Sequence, residues 1–276
     1  MEPFISNAIA MYGVAGRLWI KSIPHIIQGY IDRYKLREVK IYERLSYNFI
    51  AYGIMDDRPV MLKLGYDPIL VEREYLALKH FQDHGGIKVL VRDEGMLILE
   101  RIEPGVTLFD APDTDKPRIA CEVMRRLHQA PRIPEHFQAD HLVDQLAILD
   151  RDWEKIPHEQ LQAARKMRDN LIARFTMDTF LHGDLHYDNI LQHGDSWAVI
   201  DPKGVIGHPI NELWNLIFDI HSEAEFVADY FGFDVQDVRD WYFVQVSLAA
   251  CYILQDNIED DKFLQLASQA YNLISK

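Results

Sequence analysis

The chain has 276 residues, 48% hydrophobic and 26% charged, an ordinary globular composition long enough for one large domain or two modest ones. No stretch approaches the roughly 18 uninterrupted apolar residues of a membrane span, and the first residues lack the pattern of a secretory signal, so a soluble cytoplasmic protein is expected. The whole net charge of −14 falls on residues 101–276, a field that disfavours nucleic acid and membrane partners and attracts a cationic small molecule, although a solubilising surface would carry the same charge.

Along the chain, Ile26, Ile27, Tyr30, Ile31 and Tyr34 repeat at helical spacing and predict a helix over 24–34. The segments VKIYERLS, NFIAYGIM and PVMLKLG are short and rich in β-branched and aromatic residues, and predict three antiparallel strands. Helical spacing returns over 68–82, followed by strands in IKVLVRD and GMLILERI. From Glu103 onward helices are expected over 114–129, 140–154, 158–176, 210–231 and 234–256, with a single hairpin near 191–201. A five-stranded sheet with one helix, joined at 103–105 to a helical region, is an α+β plan in two lobes, 1–102 and 103–276. The two cysteines, Cys121 and Cys251, lie in apolar helical stretches without metal spacing and are expected as buried thiols.

The densest polar cluster is FLHGDLHYDNIL, residues 180–191. Phosphoryl transfer to an alcohol needs a carboxylate to orient and deprotonate the hydroxyl, and oxygen ligands for the divalent metal on the triphosphate. Asp184 can supply the base; Asn189 and Asp201, the latter closing the strand AVID, can hold Mg2+. His182 and His186, four residues apart, also permit a metal hydrolase with two imidazole ligands. That reading leaves Asn189 and Asp201 without a role. A polar loop that only satisfies backbone groups is the plainest alternative.

The spacing HxDxxxxN followed by a strand ending in Asp resembles the catalytic loop and metal-binding Asp of the protein-kinase-like fold. The wording HGDLHxxNI and then VIDPKGVIGHP resembles the aminoglycoside phosphotransferase family, and within it the streptomycin 6-phosphotransferase and hydroxyurea kinase group. The resemblance spans residues 25–256 and is strongest over 180–212. It implies a protein-kinase-like fold with a nucleotide-binding lobe (1–102) and a helical catalytic and substrate lobe (103–276). ATP and Mg2+ are the implied cofactors, with γ-phosphoryl transfer to a hydroxyl of a small, aminoglycoside-like cation. The fold also serves choline, homoserine and methylthioribose kinases, so a metabolite acceptor is an alternative, as is a kinase-like module that binds without turnover.

By the same resemblance Lys63, in PVMLKL, meets the ATP phosphates and is held by a helix glutamate. Glu74 lies on the apolar face with Val71, Tyr75 and Leu78, whereas Glu72 points with Leu76 and Lys79, so Glu74 is the expected partner and Glu72 the alternative. No GxGxxG precedes them; backbone amides around Ser46, Tyr47 and Asn48 must cradle the phosphates. The Glu100 carbonyl and Ile102 amide are the expected contacts of the adenine edge. His186 should face the phosphates or the base, and His182 should be structural. Glu212 stands where many relatives have Asp bracing the catalytic loop, which leaves the geometry of that brace open.

Overall fold

The computed structural model describes residues 1–131, 139–217, 219–256, 258 and 260–275. In chain order the elements are α1 (Glu2–Tyr34), β1 (Arg37–Ile41), β2 (Phe49–Met55), β3 (Arg58–Leu64), α2 (Pro68–Phe81), β4 (Val89–Asp93), β5 (Met96–Glu100), β6 (Pro104–Thr107) and α3 (Lys116–Leu127). There follow β7 (Asp140–His141), α4 (Leu142–Leu146), α5 (His158–Arg174), β8 (Thr179–Leu181), β9 (Ile190–His193), β10 (Ser196–Val199), β11 (Val205–Gly207), α6 (Glu223–Phe231), α7 (Val235–Gln255) and α8 (Lys262–Ile274). By packing the chain falls into two units: Met1–Val106 with Leu191–Asp201, and Thr107–Ile190 with Pro202–Lys276.

The first unit is built on a five-stranded antiparallel sheet in the order β1-β2-β3-β5-β4. Period-2 alternation splits its side chains between two cores. Val60, Leu62, Leu64, Met96 and Ile98 face α1 residues Phe4, Ile23 and Ile27. Leu97 and Leu99 face the other way, onto Val71 and Leu78 of α2 and onto Ala198. That last contact shows why residues 191–201, which a cut between 102 and 103 assigns to the second lobe, pack with the first: Val199 donates to the Gly85 carbonyl at 2.8 Å and accepts from the Ile87 amide at 3.2 Å.

The helix expected over 24–34 is the end of a far longer element. Its interruption is Gly13, whose φ of 58° and ψ of −130° leave the helical region. The arms on either side approach so closely that a Cβ on Gly16 would sit 2.1 Å from the Ala8 carbonyl oxygen.

In the second unit α7 is the central element, with Trp241, Phe243, Val244 and Val246 buried, and α8 lies on it through Phe243 and Tyr271. A small sheet, β7-β11-β8, carries the polar loop that follows β8. The single helix expected over 210–231 is instead a 3-10 segment, Pro209–Leu216, and then α6. The Asp219 carboxylate accepts from the His221 amide at 3.0 Å and the Ser222 hydroxyl at 2.7 Å, a local turn that competes with helical bonding. The helix expected over 140–154 is likewise short, α4 followed by a 3-10 turn over Ala147–Asp150.

Candidate active site

In the first unit β3 presents Lys63 between β2 and β5, opposite Ile50 and Leu97. Helix α2 begins at Pro68 with Asp67 capping the Ile69 amide at 2.8 Å, which sets the rotation that brings Glu74 to the sheet. The Lys63 ammonium lies 2.7 Å from a Glu74 carboxylate oxygen and 2.8 Å from Asp201 Oδ1. Burial alone would depress this lysine, but the Asp201 and Glu74 carboxylates outweigh it and hold its pKa above the ordinary lysine value. Glu72 instead pairs with Arg92 at 2.6 Å, so the choice between the two glutamates falls to Glu74. Asp201, expected to close a strand, lies two residues past the end of β10 with φ 59° and keeps 41% of its side chain exposed, so it has surface to offer a ligand beyond Lys63.

The loop between β1 and β2 carries Ser46 and Asn48. Asn7 of α1 donates to the Ser46 carbonyl at 3.1 Å, and Phe4 packs edge-on against Phe49 at the start of β2. At the end of β5 the Glu100 amide bonds to the Lys88 carbonyl at 3.0 Å and the Glu100 carboxylate accepts from the Lys88 amide at 2.7 Å. Among the described residues nothing accepts from the Ile102 amide.

In the second unit the chain leaves β8 into the polar loop. His182 is fully buried; its carbonyl accepts from the Lys203 and Gly204 amides at 2.8 and 3.1 Å, and its Nδ1 accepts from the Asp184 amide at 3.3 Å. Gly183 has φ 81°, and a Cβ there would lie 2.7 Å from a Val205 methyl, so only glycine fits. Its amide donates to Glu212 Oε1 at 2.8 Å, while Glu212 Oε2 meets His128 Nε2 at 2.7 Å. The brace whose geometry the sequence left open is thus made, and the longer side chain spans two partners.

The Asp184 carboxylate is 37% exposed, with Lys203 Nζ and His186 Nε2 each 3.9 Å away. His186 Nδ1 accepts from the Asp188 amide at 3.3 Å, which in a neutral ring puts the proton on Nε2, the nitrogen turned toward Asp184. Asn189 is buried and its Nδ2 donates to the Asp184 carbonyl at 2.8 Å, so its amide oxygen is the end left for a ligand. The two-imidazole hydrolase reading does not survive: His182 is sealed in the core, and no group of three metal-ligating side chains gathers among the described residues. An amide oxygen and a carboxylate are each hard donors of the kind that Mg2+ takes.

Beside the loop the second unit holds a cavity of about 190 Å³ that touches Gly183 and Leu185, the neighbours of Asp184. Asp219, Glu223, Glu225 and Asp229, whose charge suggested a cationic acceptor, are not among its walls. Glu225 pairs with Arg239 at 3.3 Å, and Glu223 accepts from the Asp219 amide at 3.1 Å. Sequence reasoning missed Lys203, the His128–Glu212 pair and this cavity. Only Lys203 left a signal, a cation two residues past Asp201.

Residues 36–230 match the aminoglycoside/hydroxyurea antibiotic resistance kinase family. The streptomycin 3''-kinase of Klebsiella pneumoniae is 26% identical over 221 residues, covering 72% of this chain and 82% of that protein. The choline kinase of Streptococcus pneumoniae superposes with a TM-score of 0.67 at 14% identity, covering 92% and 99% of the two chains. A thermostable mutant of the aminoglycoside phosphotransferase APH(4)-Ia, in complex with AMP-PNP and hygromycin B, superposes with a TM-score of 0.61 at 16% identity, covering 89% and 95%. The fold is protein-kinase-like.

Proposed function

Because the chain belongs to the aminoglycoside/hydroxyurea antibiotic resistance kinase family, we propose that it transfers the γ-phosphoryl group of ATP to a hydroxyl of a small molecule. The observation that carries this reading is Lys63, 2.7 Å from Glu74 and 2.8 Å from Asp201. A lysine held by a helix carboxylate in a central strand is poised to meet the α- and β-phosphates. The Ser46–Asn48 backbone would cover those phosphates, and Glu100 and Ile102 would take the adenine edge. Asn189 and Asp201 would hold Mg2+, which when bound neutralises charge on the phosphates.

Asp184 is the proposed base. It receives the proton of the acceptor hydroxyl as that oxygen bonds to the γ-phosphorus and the bond to the β-phosphate oxygen breaks, releasing ADP. Lys203 and His186, each 3.9 Å from the carboxylate, stand where they can orient it or offset charge on the transferring group. Dependence on ATP favours a cytoplasmic location, and among the described residues no helix is long and apolar enough to cross a membrane.

Two acceptor classes remain in play. The streptomycin kinase among the relatives and the net charge of −14 favour an aminoglycoside-like cation. None of the four carboxylates lines the cavity beside the loop, which keeps a metabolite acceptor of the choline, homoserine or methylthioribose type as the second class. The kinase reading itself is tested with Asp184→Asn, which should lower turnover by roughly 10²- to 10⁴-fold while ATP affinity stays at the wild-type value. A variant that keeps more than about a tenth of the rate removes Asp184 from the role.

A further inference from the structure

The first arm of α1, residues 2–12, precedes residues 36–230, the part that matches the family, and it reaches two loops at one end of the five-stranded sheet. Phe4 and Ala8 are buried. Phe4 shares a core with Leu45, Phe49 and Leu64, and its ring stands edge-on to Phe49 at 6.3 Å. Asn7 donates to the Ser46 carbonyl at 3.1 Å, and the Tyr12 ring lies 4.1 Å, centroid to centroid, from that of Tyr66. Trp19, on the second arm, meets the Tyr66 ring edge-on at 5.7 Å. Both arms of α1 therefore hold Tyr66.

These two loops lie next to Lys63. Residues 42–48, between β1 and β2, form neither helix nor strand, and the strand that follows pairs Phe49 with Leu64 and Ile50 with Lys63. Gly65, two residues past Lys63, comes so near that a Cβ on it would lie 3.2 Å from Asn48 Oδ1, so the two loops meet. Among the described residues no acceptor takes the Ser46, Tyr47 or Asn48 amides, and successive open N–H groups are suited to an anion. A loop already held in its binding arrangement binds more tightly than one that must first be ordered.

We propose that residues 2–12 are a nucleotide-positioning element, with Asn7 and Tyr12 as positioning residues. They fix the Ser46–Asn48 loop and the neighbouring Tyr66 turn in the arrangement that receives the ATP phosphates, and they act through those loops rather than on ATP itself. The proposal rests on the kinase reading, which supplies the nucleotide. Gly16 lets the arm lie down: a Cβ there would run into the Ala8 carbonyl oxygen, so Gly16→Ala lifts the arm while leaving the sequence of both loops intact.

The test is calorimetric titration of the full chain with AMP-PNP and Mg2+, with Tm measured on the same samples. Tyr12→Ala should weaken binding about two- to tenfold, the contribution of one aromatic pair, whereas Tyr12→Phe, which keeps the ring, should bind as the wild type does. Gly16→Ala should weaken binding at least as much as Tyr12→Ala; if it does not fold, the two Tyr12 variants decide. An arm that only added stability would lower Tm in these variants and leave the affinity, measured well below Tm, unchanged. The proposal is overturned if the folded Tyr12→Ala chain binds AMP-PNP as the wild type does, or if Tyr12→Phe loses as much as Tyr12→Ala. A wild-type chain that binds no AMP-PNP is a distinct outcome, which refutes the kinase reading and the nucleotide role of the arm with it.

Discussion

Glu212 gives the sharpest stability prediction. Its carboxylate is 3% exposed and holds the Gly183 amide at 2.8 Å and His128 Nε2 at 2.7 Å, so Glu212→Ala strands two buried groups at once. Each stranded group costs roughly 1–3 kcal/mol, together about 2–6 kcal/mol, a large part of the 5–15 kcal/mol that a domain commonly has. At roughly 2–4 °C per kcal/mol for a chain of this class, Tm should fall by roughly 5–20 °C. Glu212→Gln keeps an oxygen for Gly183 and lets the His128 ring accept from the new amide, so its loss should be about half as large. The catalytic effect is separable, because displacing the loop by about 1 Å can cost on the order of 100-fold in rate. Scanning calorimetry and steady-state turnover on both variants, with amide exchange at Gly183, supply the measurements. If Glu212→Ala melts within about 1 °C of the wild type and its Gly183 amide exchanges no faster, the brace does not hold the loop.

Asp201→Ala should abolish the magnesium dependence of nucleotide binding; equal ATP affinity with and without the metal in both proteins would remove Asp201 from that role. Asn7→Ala takes away the bond to the Ser46 carbonyl and should raise the KM for ATP about two- to tenfold, the worth of one hydrogen bond, with kcat little changed; a change in the acceptor KM instead would break the link to the phosphate loop. Burial pushes the Cys121 and Cys251 thiols up to about 12, so at pH 8 only about one thiol in 10⁴ is ionised in the folded chain. Iodoacetamide should label neither until the chain is unfolded. An unfolded chain gives up these protons from about pH 9, so over the interval between there and about 12 the folded state holds more protons and stability should fall as pH rises; a rise would contradict the assigned burial.

Much of the first unit was legible because its code is local. Short apolar runs in residues 59–65 and 95–102 mark β3 and β5, and the helical face carrying Val71, Tyr75 and Leu78 picks Glu74 over Glu72. Residues 2–23 were not read as helix, since Gly13 breaks the period and Met11, Val14 and Leu18 are exposed apolar residues that blur the buried stripe. The break after Leu216 follows from side-chain bonds of Asp219 and Ser222 that a hydropathy pattern does not register. His128 lies 84 residues from Glu212, and no spacing rule links two groups that far apart.

The central claim is phosphoryl transfer from ATP to a hydroxyl, and mass analysis of the acceptor tests it most directly. Neutral sugars, cyclitols and aminoglycosides are each incubated with the full chain, Mg2+ and ATP, in parallel with the Asp184→Asn protein. The account predicts that at least one compound gains the mass of a single phosphoryl group with stoichiometric ADP, only with Mg2+ and only with the wild-type chain. Phosphorylation at an equal rate by Asp184→Asn, or ADP release with every compound left unmodified, would contradict it.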